Sequence, residues 1–299
     1  MELNLKSAFF WPINSTSVRS FKFSAGLLWQ RTIFRTLWSA SPRLAIERAE
    51  RTLLTPPRHE FSEAEFAVME EASLLPVALV PTRLIGWRWG RAGDPVVVLM
   101  HGWGGRGTQL KAFIEPLLAR GFSVVAFDAP GHGMTGGGES SLPHFMQGLN
   151  AMLNHLGEVH AIVGHSVGAA VTAMVMAQRP QIGRAVLIAP PASLADSTRR
   201  IAAALEWPEA MRAAVQRRIE QRFGVSWSSF EAERAGGEQP LLLIHDRQDR
   251  EISIGEGRRY LHTWPKARLM ETCGLGHRRV LDDPAVIAAS VDFIAGEQP

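Results

Sequence analysis

Ser166 stands in the segment Gly164-His165-Ser166-Val167-Gly168, between an apolar run that ends at Val163 and a stretch rich in small residues: Gly168, Ala169, Ala170 and Ala173. A serine hydroxyl is a weak nucleophile at neutral pH. It needs a base to take its proton, a carboxylate to orient that base, and donors for the oxyanion that forms. The sequence offers a candidate for each role. His277, in Gly274-Leu275-Gly276-His277, is the candidate base, and Asp249, in His245-Asp246-Arg247-Gln248-Asp249, is the favoured acid. Asp246 and Asp196 compete for the acid role. Asp246 lies close to a strand end, short of comfortable reach to a histidine on another loop, while Asp196 follows the preceding strand. The backbone N–H groups of Trp103, in His101-Gly102-Trp103-Gly104-Gly105, and of Val167 are the candidate oxyanion donors. His101 itself reads as structural, because it sits at a strand end below the point of attack.

Positioning these groups requires strands that end near one another. Val96-Met100, Phe122-Phe127, Ala161-Val163, Ala185-Ala189 and Leu241-Ile244 are continuous apolar runs, the pattern of strands buried on both faces of a parallel sheet. Leu110, Phe113, Ile114, Leu117 and Leu118 share one helical face, Gly121 suits the helix end, and Pro116 implies a kink or a late start. Asp283 and Pro284 read as the cap and first turn of a last helix. Val77-Val80 and Leu84-Trp89 read as a starting antiparallel pair. The fold class expected is therefore α/β: a mostly parallel, doubly wound sheet. Ser166 falls on a sharp strand-to-helix turn of that sheet, with Gly164 and Gly168 relieving the crowding there.

Residues 76–190 and 237–299 form the expected core. Residues 191–236 are helical and polar and read as a cap, or lid, over one end of the sheet; Trp207, Phe223, Trp227 and Phe230 there suit either an acyl pocket or the insertion's own packing. Residues 1–75 read as an N-terminal helical extension. Within it Leu27, Trp29, Ile33, Phe34, Leu37 and Trp38 fall mostly on one helical face, with Arg31 and Arg35 on the other. Packing on the protein body or on a second subunit competes with peripheral membrane contact as the use of residues 20–54, and packing is favoured.

From about residue 75 onward the chain resembles an α/β-hydrolase of the bacterial esterase-like group. The Gly-His-Ser-Val-Gly turn, the His101-Gly102-Trp103 loop, the run from Asp128 to Gly133, and the order Ser166, Asp249, His277 carry the resemblance. It implies Ser166 as nucleophile, His277 as base, Asp249 as orienting acid, Trp103 and Val167 as oxyanion donors, and a small ester-like substrate with no cofactor. Thioesters, amides, carbon–carbon bonds and a non-catalytic receptor role stay open. One departure is Gly104, where many relatives carry a proline that would stiffen the oxyanion loop.

Other chemistries fit less well. Gly131-His132-Gly133-Met134-Thr135-Gly136 matches a dinucleotide fingerprint in letters, but Gly137, Gly138 and Pro143 precede any helix that it should open. The ten histidines are scattered and Cys273 is the single cysteine, so neither a metal site nor an internal disulfide is expected. A net charge of +3 over 299 residues gives no reason to expect a nucleic-acid partner. A cytoplasmic location is expected.

Overall fold

The computed structural model describes residues 17–296, and side chains from Gly26 onward. The described chain divides into two units, residues 17–57 with 193–229 and residues 58–192 with 230–296. The elements run α1 (Ser17–Ala40), α2 (Pro42–Leu54), α3 (Glu63–Glu70), β1 (Ser73–Leu79), β2 (Thr82–Trp89), β3 (Val96–Met100), α4 (Ile114–Ala119), β4 (Ser123–Phe127), α5 (Leu142–Leu156) and β5 (Ala161–His165). They continue with α6 (Val167–Gln178), β6 (Arg184–Ile188), α7 (Leu194–Ala204), α8 (Glu209–Phe223), β7 (Leu241–Asp246), α9 (Ile254–Arg259), β8 (Ala267–Thr272), α10 (Gly276–Arg279) and α11 (Pro284–Ala295).

The larger unit holds one eight-stranded sheet in the order β1-β2-β4-β3-β5-β6-β7-β8. β1 and β2 pair antiparallel, as does β2 with β4; every later pairing is parallel. This is the mostly parallel α/β sheet that the apolar runs imply. β3, β4 and β5 are buried at every position, because helices cover both of their faces. Each Val, Ile or Leu so placed contributes about 1.5–3 kcal/mol relative to exposure. One strand escaped the sequence reading. β8 is an edge strand buried only in part, and its sequence Ala-Arg-Leu-Met-Glu-Thr lacks a continuous apolar run.

The helix expected over Leu110–Leu118 starts late. A 3₁₀ turn covers Gly107–Phe113, and α4 begins at Ile114, which leaves Pro116 in its first turn, where no intrahelical N–H bond is lost. Gly121 follows with φ of 79°, and the Asp283 side chain caps α11 by accepting from the N–H groups of Ala285 and Val286.

The smaller unit joins α1 and α2 to α7 and α8 around a core of its own. Phe34, Ala45 and Leu54 are buried with Trp207, Met211, Val215 and Trp227. The Phe34 and Trp207 rings meet edge-on at 5.0 Å. The apolar stripe of the first helix therefore packs on residues 194–223, with Leu27, Leu37 and Trp38 included, while Leu28 and Trp29 are exposed. Trp207, Phe223 and Trp227 serve this packing; Phe230 belongs to the larger unit and is buried there. Four arginines of the insertion are matched with carboxylates: Arg199 with Asp196, Arg212 with Glu209, and Arg218 and Arg222 with the buried Glu50. Among the described residues, no helix is long and apolar enough to cross a membrane.

Candidate active site

Ser166 lies between β5 and α6, with φ of 53° and ψ of −126°. Such a backbone costs a non-glycine residue on the order of 1–3 kcal/mol, and persists only where the surroundings over-determine it. Those surroundings are visible. The Ser166 N–H donates to the Ile188 carbonyl at 2.9 Å, and the Ser166 carbonyl accepts from Ala169 at 2.9 Å and Ala170 at 3.1 Å. A Cβ on Gly164 would lie 2.7 Å from the Ala169 Cα, and one on Gly168 would lie 2.3 Å from the His101 carbonyl oxygen. Glycine at both positions is what lets the helix pack this tightly against its own strand and against the end of β3.

His277 sits in the short helix α10, and its ring joins the two partners proposed from the sequence. Its Nδ1 lies 2.7 Å from Asp249 Oδ2, and its Nε2 lies 3.0 Å from Ser166 Oγ. With Nδ1–H donated to the carboxylate, Nε2 is free to accept the serine proton. Asp249 has a fully buried side chain. Its Oδ1 accepts from the N–H groups of Glu251 at 2.8 Å and Ile252 at 3.0 Å, which fixes the plane of the carboxylate.

The competing acids are engaged elsewhere. Asp246 Oδ2 accepts from the Thr272 hydroxyl at 2.8 Å and the Leu275 N–H at 3.0 Å, and Oδ1 accepts from Gln248 N–H at 2.9 Å. Burial pushes its pKa up, but these donors outweigh burial and hold it below the ordinary value. Asp246 thus ties the end of β7 to the loop that carries His277. Asp196 is in the smaller unit and pairs with Arg199.

Val167 is the first residue of α6, so its N–H belongs to the orphan donors of a helix start. Trp103 lies in the loop after β3, one residue beyond Gly102, at which a Cβ would stand 2.9 Å from the Ser166 Cβ. The Trp103 ring stacks near Phe145 at 6.3 Å and meets His132 edge-on at 5.4 Å.

His101 is structural in geometry. Its Nε2 accepts from the Ala129 N–H at 2.9 Å, and its Nδ1 is 2.7 Å from the Gly102 carbonyl. Burial lowers its pKa to about 4 and that of His132 to about 3, so both rings are neutral at pH 7. Asp128, fully buried, accepts from the N–H groups of Gly107 at 2.7 Å and Met134 at 2.6 Å; burial raises its pKa to about 6 against those donors.

Two contributions were not read from the sequence. His165 is buried, and its Nε2 lies 2.9 Å from the His277 carbonyl oxygen, so it donates to the backbone of the candidate base. Its position beside the candidate nucleophile was the available signal. Glu65 accepts from Arg106, just past the candidate oxyanion loop, and nothing local marks that pairing. Among the described residues, no three His, Cys, Asp or Glu side chains are grouped as a metal ion would need.

Comparison with known proteins agrees with this architecture. A bifunctional esterase/perhydrolase of Acinetobacter calcoaceticus is 34% identical over 105 residues, which is 33% of this chain and 38% of that protein. The acetyltransferase component of the acetoin cleaving system of Pseudomonas putida is 36% identical over 108 residues, 35% of this chain and 29% of that protein. The chain thus spans well under half the length of these two relatives. An esterase of Pyrococcus furiosus shares the fold with a TM-score of 0.63 at 22% identity, over 82% of this chain and 100% of the other. Residues 92–297 match the family described as serine aminopeptidase, S33. The chain belongs to that family, within the α/β-hydrolases.

Proposed function

We propose that the protein is a serine hydrolase that cleaves carboxylic esters through an acyl-enzyme. The observation that carries this is the continuous hydrogen-bonded path from Ser166 Oγ through the His277 ring to Asp249, with both contacts at 3.0 Å or less. In the first step the Ser166 oxygen attacks the ester carbonyl carbon while its proton passes to His277 Nε2. The carbonyl oxygen takes the negative charge and is held by the N–H groups of Trp103 and Val167. Collapse breaks the bond to the alcohol, which leaves with the proton from His277. Water then attacks the acyl-serine, gives its proton to the same nitrogen, and releases the acid and the free serine. Asp249 orients the ring and stabilises its cationic form.

Esters are favoured as substrate because the Acinetobacter relative and the Pyrococcus structure are both named as esterases. The test is labelling with a fluorophosphonate probe, followed by turnover of p-nitrophenyl esters of graded acyl length beside a thioester and an aminoacyl anilide. Labelling of wild type but not of Ser166→Ala, with esters turned over fastest, is the expected result. A wild-type protein that neither labels nor hydrolyses any of these would overturn the proposal and favour a receptor role.

A further inference from the structure

The oxyanion loop contains Gly102, Gly104 and Gly105 and has no proline. Gly104 adopts φ of 68°, and three glycines in four residues give the backbone wide freedom. An oxyanion donor acts only if it is held within a fraction of an ångström of its target. Something other than local stiffness must hold the Trp103 N–H in place.

The ties lie on either side of Trp103. Upstream, the Gly102 N–H donates to Gln109 Oε1 at 3.2 Å, while the Gly102 carbonyl faces the His101 ring and also accepts from the Gly105 N–H at 3.0 Å. Downstream, Arg106 makes a two-pronged contact with Glu65: Nε–H to Oε1 at 2.6 Å and Nη2–H to Oε2 at 2.5 Å. The same carboxylate accepts from the Thr108 hydroxyl at 2.7 Å, and from both the N–H and the hydroxyl of Ser62 at 2.9 Å. Between Arg106 and Thr108, the Gly107 N–H goes to Asp128. The Arg106 guanidinium also lies over the Phe61 ring, 4.9 Å from its centre.

Three consecutive residues directly after the loop, Arg106 to Thr108, are therefore fastened to two buried carboxylates. One of these, Glu65, comes from α3, which precedes the 92–297 stretch that matches the family. We propose that Glu65 and Arg106 are positioning residues that hold the oxyanion loop. They supply from outside the loop the stiffness that its glycines cannot. The inference rests on the reading of Trp103 as an oxyanion donor. Neither residue touches the reacting atoms; both act through the placement of the Trp103 N–H.

The test uses the full chain and the variants Glu65→Gln, Arg106→Met and the double variant. End-point fluorophosphonate labelling counts competent sites, and kcat for a p-nitrophenyl ester is expressed per labelled site, so loss of folded protein cannot mimic the effect. Removing one oxyanion donor costs about 10²–10³ in kcat. A loosened donor should cost less, with a fall of about 5- to 50-fold per labelled site and KM within about threefold. The double variant should be no slower than the slower single, as for partners in one contact. Single variants whose kcat per labelled site stays within fivefold of wild type overturn the proposal, even if their melting temperatures drop. If a single variant does not fold, Thr108→Val decides: a fall of twofold or more supports the brace, and an unchanged kcat overturns it. A wild type that fails to label overturns the serine reading and the brace with it, whereas a labelled wild type with unaffected variants overturns the brace alone.

Discussion

His165 donates its Nε2–H to the backbone carbonyl of His277 at 2.9 Å, so the residue before the candidate nucleophile holds the candidate base. The two rings lie 4.7 Å apart. This contact ties the turn after β5 to the segment after β8 that carries His277. Replacement by Leu removes the donor and leaves a buried carbonyl unpaired, at a cost of about 1–3 kcal/mol. His165→Leu is expected to lower the melting temperature and to reduce kcat about tenfold, with KM little changed, read from ester turnover per labelled site.

Ser166→Ala and His277→Ala should each lower kcat by several orders of magnitude, because members of such a constellation act as a unit. Steady-state ester hydrolysis measures this. Either variant retaining more than about a tenth of wild-type kcat contradicts the assignment.

Ser166→Gly separates catalysis from strain. At φ of 53° a glycine relaxes the backbone, offset in part by its greater freedom in the unfolded chain. The expected outcome is an inactive protein more stable than Ser166→Ala by about 1 kcal/mol, read from denaturant midpoints.

Phe34→Ala should open a cavity against Trp207 and destabilise the smaller unit by about 3–5 kcal/mol. Phe34 is only 1% exposed. Because the chain has two units, calorimetry is the suitable readout, since a single transition cannot be assumed.

Acid should destabilise the fold from about pH 6.5 downward. Burial lowers the pKa of His101 to about 4 and of His132 to about 3, against an ordinary value of 6.5. Across that interval the unfolded chain binds the protons that the native rings refuse, so stability present above pH 6.5 is lost as pH falls. Urea midpoints at pH 7.5 and 5.0 should differ, and His132→Asn should shrink the difference. An unchanged pH dependence in that variant counts against the buried neutral ring as its source.

The site was legible in the sequence where its signals are local. A strand, a serine between glycines and a helix of small residues are contiguous, so the turn at Ser166 declared itself. The candidate acid was harder to choose, since Asp246 and Asp249 lie three residues apart after one apolar run. Only the structure shows Asp246 turned to Thr272 and Leu275 while Asp249 meets His277. The amphipathic stripe around Phe34 was readable, but its partner was not, because Trp207 lies in a distant segment of the chain. Glu65 and Arg106 escaped for the same reason: long-range ion pairs leave no periodicity behind.

The smaller unit has a consequence for how the chain is made. Arg31 donates to the Ala204 carbonyl across a separation of 173 residues. At a synthesis rate of roughly 5–20 residues per second, the first helices emerge on the order of 10–30 s before their partners. Through that interval Phe34 and its neighbours have an apolar face and no α7 or α8 to bury it. The smaller unit therefore closes only after β1 to β6 of the sheet have been synthesised, because all six strands lie between α2 and α7 in the chain.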